Sequence, residues 1–395
     1  MKKCEGIALS VTISLIGFMG LYLRGQQELT DKATKEMYLQ RIAEWSKGVQ
    51  TIFMEDPLSS VISEERLRKI RELNEKLLVP LGPNVLPYLL IVDQVNHIIG
   101  SAMYRVSKFL PHNIVLNRKP KNLLSTTEEF PEVTEKNISY DARKIWLFWW
   151  LEGQRRTPRW FMERYTKWLI ARQQGNTQQA QLMYQKLLNI GIAAIPLWLQ
   201  KLQAEQDKEV RQAILEALTY LTDGEIKPTM SVQECLSWWQ ANKEQWTIPF
   251  PKSKMDFLKW LEREGWEEPR LVIPVVLTIS RLEDKAAIDA LLRFLKHPNP
   301  LARAISLEQI QKLFGEQLPK EYTLGVGTDE WERYGDLLEL GKDNLVRKRI
   351  RETQERVKDL KGAEKVMEEL SDWWARNRGK LTIYWQRAWA SPLPF

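Results

Sequence analysis

The chain has few of the residues from which metal centres, disulfide frameworks and thiol nucleophiles are built. Its 395 residues include two cysteines and three histidines. Cys4 and Cys235 allow neither a disulfide framework nor a thiolate metal cluster within the chain. His97, His112 and His297 are scattered, and none has a ligand-type residue three or four positions further on. We therefore expect no metal site and no cofactor.

Sequence motifs of catalysis and nucleotide binding are also missing. The chain contains no GxSxG, no Walker-type loop and no GxGxxG. The run Gly325–Thr328 lacks the strand and helix that would let its amides hold a phosphate. Adjacent carboxylates are common on the solvated faces of charged helices, and here they lie at Glu64–Glu65, Glu128–Glu129, Glu267–Glu268 and Glu368–Glu369. We predict that the chain is not an enzyme.

Only one long uncharged run is present, and it lies at the N-terminus. Residues Gly6–Leu23 are mostly apolar, follow Lys2 and Lys3, and are closed by Arg24. This pattern predicts a signal peptide or membrane anchor over residues 1–25. The absence of an Ala-x-Ala cleavage site favours an anchor, and the basic flank places the rest of the chain outside the cytoplasm. The alternative is a buried first helix of the fold.

Neither sign of charge dominates the remainder of the chain. Fifty-eight basic residues are interspersed with 51 acidic ones, and the net charge is +7. This balance favours acidic partners or anionic membrane surfaces only weakly. Binding to nucleic acid is not expected, because it would require a cytoplasmic address that the leader contradicts.

What the chain has in abundance is tryptophan and helical periodicity. Its 17 tryptophans exceed the 11 tyrosines and 11 phenylalanines, which predicts indole rings packed between helices. Apolar residues recur with helical spacing, and breaks rich in Pro, Asn and Thr separate the helical blocks. We predict an all-α protein with an N-terminal helical region at 26–110, a linker or long loop at 111–140, and helical repeat modules at 141–246 and 254–388.

One phrase, a proline near the start of a short apolar helix, occurs three times. It lies at Gly82–Leu90, Gly191–Leu199 and Leu271–Leu277. Pro87, Pro196 and Pro274 suit the first turn of a helix, where the missing N–H costs nothing. Three occurrences of the phrase indicate internal repeats.

Two of these phrases are followed by a second amphipathic helix with clear ends. Asp207 is a candidate N-cap for a helix that Gly224 ends, and Asn299-Pro300 opens another that Gly315 ends. Val210-Arg211-Gln212-Ala213 in the first matches Ala302-Arg303-Ala304-Ile305 in the second. The pattern resembles HEAT-like repeat proteins, and the resemblance implies antiparallel helix pairs in an irregular α-solenoid, preceded by the N-terminal hydrophobic helix.

A Trp-Trp phrase occurs twice, each time at the end of a helical block. It spans Leu236–Lys243 and Leu370–Arg378. Adjacent residues on a helix point about 100° apart, so one indole can face the core and the other a neighbouring helix. The phrase resembles the terminal helix of extracytoplasmic HEAT-like proteins of unassigned function. We interpret it as structural closure of a block.

Basic and aromatic residues alternate most densely between residues 143 and 172. The candidate binding surface there consists of Arg155, Arg156, Arg159, Trp160 and Arg164. Such a surface could hold a polyanion, a lipid headgroup or a sugar polymer. The competing interpretation places Trp146, Trp149 and Trp150 in the core, with the arginines in a solvated turn before a helix that starts near Pro158.

The leading functional prediction is a non-catalytic helical-repeat scaffold or protein-binding module at the outer face of a membrane. Its expected partners are another protein and, through residues 1–25, the membrane itself. The alternative is a carbohydrate- or envelope-polymer-binding protein that uses the Trp/Arg-rich stretch.

Overall fold

The computed structural model describes residues 32–52, 64–92, 96–109, 138–322 and 355–389. Across these ranges the chain forms 14 helices and no strand, which confirms the all-α prediction. The leader at 1–25, the run Gly325–Thr328 and nearly all of the predicted linker at 111–140 lie outside the described residues.

The first seven helices of the described ranges are α1 (residues 32–52), α2 (Glu64–Leu73), α3 (Leu86–Ile91), α4 (Asn96–Ser107), α5 (Ile138–Gln173), α6 (Thr177–Leu188) and α7 (Ile195–Ala204). The remaining seven are α8 (Lys208–Leu221), α9 (Val232–Trp246), α10 (Lys254–Glu267), α11 (Val272–Ser280), α12 (Lys285–Phe294), α13 (Pro300–Phe314) and α14 (Leu360–Asn377). Short connections keep most consecutive helices packed as neighbours.

The predicted helix caps are present. The Asp207 carboxylate accepts hydrogen bonds from the backbone N–H groups of Glu209 and Val210 at the start of α8. The side chain of Asn299 caps α13 in the same way, and Gly315 ends that helix with a left-handed φ of 56°. These groups satisfy backbone donors and acceptors that a helix leaves free at its ends, so the sequence fixes the ends locally.

The three proline phrases also form the predicted helices. Pro87 and Pro196 lie in the first turn of α3 and α7, and Pro274 is the third residue of α11. In the first two phrases a 3-10 turn runs directly into the helix, at Pro83–Val85 and Gly191–Ala194.

The Arg-rich stretch differs from its predicted conformation. Residues 155–159 do not form a turn before a new helix, because α5 runs unbroken through Pro158 over 36 residues. Rings on both sides of the proline hold the helix in place: Trp149 packs on Phe109 at 4.7 Å between centroids, and Phe161 packs on Trp198 at 5.0 Å. Packing of these rings outweighs the backbone hydrogen bond that proline removes.

Nearly all described indole rings pack between helices, as the composition predicts. The buried ones are Trp45, Trp146, Trp149, Trp150, Trp160, Trp168, Trp198, Trp374 and Trp389. Of the described tryptophans, only Trp266 is largely exposed, at 43%. The prediction that Trp146, Trp149 and Trp150 belong to the core is confirmed.

Helix α1 is fastened to the body of the molecule by polar contacts at two points. The Trp45 Nε1 donates to the Asn74 Oδ1 at 2.7 Å, and both side chains are fully buried. Earlier in the helix, both terminal nitrogens of Arg270 donate hydrogen bonds to the Glu36 carboxylate, at 3.0 and 2.7 Å. Because Arg270 also pairs with Glu268, one guanidinium joins α1 to the start of α11.

No single helix in the described ranges combines the length and the apolar composition needed to cross a membrane. Helices α6 and α7, the latter with its preceding 3-10 turn, reach that composition only as a pair and are bent by 102°.

Candidate functional site

Two adjoining cavities form a cleft where α5, α7, α8 and α9 meet the segment before α3. One has a volume of about 260 Å³ and the other of about 490 Å³. Ile192 and Trp246 line both, so the cavities share a wall. We call the smaller one the apolar pocket, the larger one the charged pocket, and the two together the cleft.

The apolar pocket lies between the middle of α5, the start of α7 and the connection from α9 to α10. It is lined by Gly153, Gln154, Thr157, Pro158, Ile192, Ala193, Pro196, Leu197, Trp239, Trp246, Thr247, Ile248 and Phe250. Gly153 has no Cβ, and one added there would lie 2.6 Å from the Phe250 ring. The glycine therefore lets that ring pack flush on α5, where it contacts Trp149 and Trp150.

Two polar features of α5 belong to this otherwise apolar pocket. Thr157 is 4% exposed, and its hydroxyl has no hydrogen-bond partner among the described residues. Pro158 has no N–H, so it cannot donate the usual helical hydrogen bond to the carbonyl of Gln154. A buried polar group without a partner is costly, and native proteins keep such groups chiefly where water or a ligand completes them.

The charged pocket is formed by helix ends. Its lining residues are Val79, Pro80, Leu81, Gly82, Pro83, Asn84, Arg105, Val106, Lys108, Ile192, Thr222, Asp223, Glu225, Glu244, Gln245 and Trp246. Gly82 has a φ of 63°, and a Cβ there would lie 3.3 Å from the Gln245 carbonyl oxygen. The segment before α3 and the end of α9 thus approach each other backbone to backbone.

Three residues with left-handed backbone conformation converge beside this pocket. They are Lys108, Gly191 and Asp223, with φ values of 56°, 76° and 51°. At Gly191 the backbone passes directly over the end of α4. A Cβ added at Gly191 would lie 2.3 Å from the Ser107 carbonyl oxygen. The ammonium of Lys108 pairs with the Asp223 carboxylate across a sequence separation of 115 residues. Strained backbone of this kind persists only where the surrounding packing enforces it.

Two tyrosines stand beside this ion pair. The hydroxyls of Tyr104 and Tyr220 lie 2.8 Å apart, and the Lys108 ammonium is 5.8 Å from the centre of the Tyr220 ring. Burial, then the hydroxyl of Tyr104, raise the pKa of Tyr220 to about 12. The Tyr220 hydroxyl therefore acts as a neutral hydrogen-bonding group at physiological pH.

Comparison with known proteins gives no further guide to this cleft. No family model, no curated protein and no solved structure matches the chain. Its chemistry must be inferred from its own residues.

The predicted arginine surface lies on α5, and its members have partners there. Arg155 pairs with Glu152, and Arg159 pairs with Glu163 at 2.9 Å. Arg156 lies 5.0 Å from the centre of the Phe148 ring and also contacts Glu152.

Of the other two members of that surface, Trp160 is buried and Arg164 is half-buried. Trp160 is 4% exposed, and the Arg164 Nη1 donates to the Trp160 carbonyl oxygen at 3.2 Å. A binding surface here would therefore consist of guanidinium groups on the outside of α5, without an indole platform. Its use for binding stays a prediction.

Sequence reasoning missed the cleft itself. Pro158 and the Thr222-Asp223-Gly224 turn are visible in the sequence, and each indicates a local irregularity. No local sequence pattern predicts that the end of α4 packs against Gly191 and Asp223, because these segments are far apart along the chain. Thr157 gives no sequence signal.

In the described part of the chain, no group of three metal-ligating side chains comes together. His297, the one histidine whose side chain is described, is held by backbone groups: the N–H of Asn299 is 3.1 Å from its Nδ1, and the Gly265 carbonyl oxygen is 3.2 Å from its Nε2. Cys235 is buried on α9, and burial raises the pKa of its thiol.

Proposed function

We propose that this chain is a non-catalytic helical scaffold that binds a segment of another protein in the cleft. The observation that supports the proposal most strongly is the apolar pocket. It combines aromatic walls, an unpaired Thr157 hydroxyl and a carbonyl at Gln154 that Pro158 deprives of its helical donor. Ligand sites in proteins are typically apolar cavities with a few placed polar groups.

A peptide segment suits these dimensions better than a small rigid ligand. The apolar pocket, at about 260 Å³, has room for one large apolar side chain, and the charged pocket continues from it past Ile192 and Trp246. An extended chain could therefore place one anchor side chain in the first cavity and its neighbours in the second. Peptide-binding surfaces commonly use such buried anchors.

The HEAT-like resemblance supports a binding role of this kind. Helices α7 and α8, and helices α11, α12 and α13, follow one another with short connections and pack as neighbours. We propose that they are degenerate repeats of an irregular α-solenoid, in which helix ends create surfaces that partners can use. The cleft would then be the place where the repeat packing is left incomplete.

The extracytoplasmic address is part of the proposal and rests on the sequence of residues 1–25. Lys32 begins the described part of α1, which is fastened to the body by Glu36 and Arg270. Cell fractionation of the chain with and without residues 2–25 tests this; an unchanged distribution would remove the anchor from the proposal.

The alternative, binding of a carbohydrate or envelope polymer through the Trp/Arg-rich stretch, has weaker support. Polymer sites of that kind use exposed aromatic platforms, whereas Trp160 is buried and Arg155 and Arg159 pair with glutamates of their own helix.

The binding proposal can be tested by filling the apolar pocket. Ala193 lines it and is half-buried, so Ala193→Leu would occupy space that an anchor side chain needs. Ala241→Leu makes the same change on an exposed part of α9 and is the matched control.

The full-length chain in mild detergent would be panned against a phage-displayed library of random dodecapeptides. We expect peptides that bind the wild type and the control variant but bind Ala193→Leu at least about tenfold more weakly. If every selected peptide binds Ala193→Leu as well as the wild type, the cleft is not the binding site.

A further inference from the structure

The basic and acidic residues that line the charged pocket differ in their ion pairing. Both basic residues already form ion pairs. Lys108 pairs with Asp223, and its side chain is only 14% exposed. Arg105 pairs with Glu75 at 3.1 Å between its Nη1 and the Glu75 Oε1. Neither cation is thus available to attract an acidic ligand without giving up an existing ion pair.

The two remaining charged residues of the pocket are acidic. Glu225 follows the turn after α8, and Glu244 lies in the last turn of α9; both are exposed. Neither carboxylate forms an ion pair or a side-chain hydrogen bond with any residue in the described ranges. Glu244 lines the charged pocket together with Trp246, which also lines the apolar pocket.

We propose that the cleft selects an extended basic peptide: a large apolar side chain fills the apolar pocket, and flanking lysines or arginines pair with Glu225 and Glu244. The inference rests on the proposed function and adds the chemistry of the partner. Charge complementarity at the rim of an interface sets partner choice and the rate of association more than it sets affinity. An acidic peptide would place its carboxylates beside two carboxylates that have no counter-ion among the described residues.

The test uses the same dodecapeptide library with a second set of full-length variants. Glu225→Gln combined with Glu244→Gln removes both carboxylates and keeps their size. Glu267→Gln combined with Glu364→Gln makes the same change in net charge at exposed sites that do not line the cleft.

Three results separate the two proposals. We expect the selected peptides to carry more Lys and Arg than the starting library, and to bind the cleft double variant roughly threefold to tenfold more weakly at low salt, with the control double variant unchanged. A second result is that the selected peptides bind Ala193→Leu weakly, lack basic residues and bind the glutamine double variant as well as the wild type. That result would overturn this inference and leave the proposed function intact. If no selected peptide binds Ala193→Leu more weakly than the wild type, both this inference and the proposed function are overturned.

Discussion

The two helices that carry the Trp-Trp phrase have different surroundings in the fold. In α14, Trp374 is buried, and its Nε1 donates to the Asp289 Oδ1 at 2.8 Å. In α9, Trp238 and Trp239 are both half-buried, and Trp239 lines the apolar pocket. The local structure is otherwise alike, because Asn242 and Asn377 donate to the carbonyls of Trp238 and Trp373.

The difference between these helices arises from what covers them. Phe314 of α13 packs against Trp373 and Trp374 with ring centroids 5.1 and 5.5 Å apart, so the phrase in α14 is closed over by a central helix. Trp239 is half-buried, and a cavity of about 260 Å³ lies beside it. The same sequence phrase thus serves closure in one place and borders an opening in the other.

Truncation of the two phrases should separate these roles most strongly. Trp374→Ala removes a buried ring and a hydrogen bond, and we expect it to lower the free energy of unfolding by about 3–5 kcal/mol. Trp239→Ala should cost only about 1 kcal/mol, because its ring already borders open space. Urea unfolding followed by circular dichroism measures both. Equal losses would mean that the two helices do not differ as described.

The next largest effect should come from the backbone crossing beside the cleft. Gly191→Ala combines a left-handed φ with a Cβ that overlaps the Ser107 carbonyl, and should cost about 2–4 kcal/mol. Gly175, with a φ of 67° and open space around it, is the control, and Gly175→Ala should cost about 1 kcal/mol. A similar cost for both variants in urea unfolding would mean that the close approach at Gly191 is not tight.

The buried His297 should give the free energy of unfolding a measurable pH dependence. Burial, and the charge of Arg303, lower the pKa of His297, although the Gly265 carbonyl opposes the shift. The unfolded chain takes up a proton near pH 6.5 while the folded chain does not. Stability should therefore be full above that pH and fall below it, by at most about 1.4 kcal/mol per pH unit.

His297→Gln should lose this part of the pH dependence between pH 5 and pH 7, whereas Trp239→Ala on the cleft side should retain it. Urea midpoints measured across the range would check both. The same slope in the wild type and His297→Gln would assign the dependence to other groups.

The smallest expected effect concerns the two uncompensated carboxylates. Glu225→Gln with Glu244→Gln should change the free energy of unfolding by less than about 0.5 kcal/mol, because exposed residues without ion pairs contribute little to stability. A loss above about 1 kcal/mol in urea unfolding would show that these residues maintain the fold, and would weaken their assignment to binding.

The sequence predicts those parts of the fold that local chemistry decides. Asp207, Asn299 and Gly315 mark helix ends that the structure confirms, because caps act on backbone groups within a few residues. The prediction that a helix starts near Pro158 was wrong, because ring packing on both sides of this proline keeps α5 continuous.

The cleft depends on contacts that no local pattern encodes. Lys108, Gly191 and Asp223 meet only after three separate segments have packed. Composition singles out the arginines of α5, yet Arg155 and Arg159 pair with glutamates one turn away on the same helix. For these residues, the sequence indicates charge but not how that charge is compensated.

The most direct test of the account follows the indole N–H signals of the full-length protein by NMR while a selected cleft-dependent peptide is added, with each signal assigned by a single Trp→Phe substitution. The account predicts that the signals of Trp239 and Trp246 shift in proportion to binding and that the signal of Trp374 stays in place. Shifts at Trp374 without shifts at Trp239 and Trp246 would contradict it.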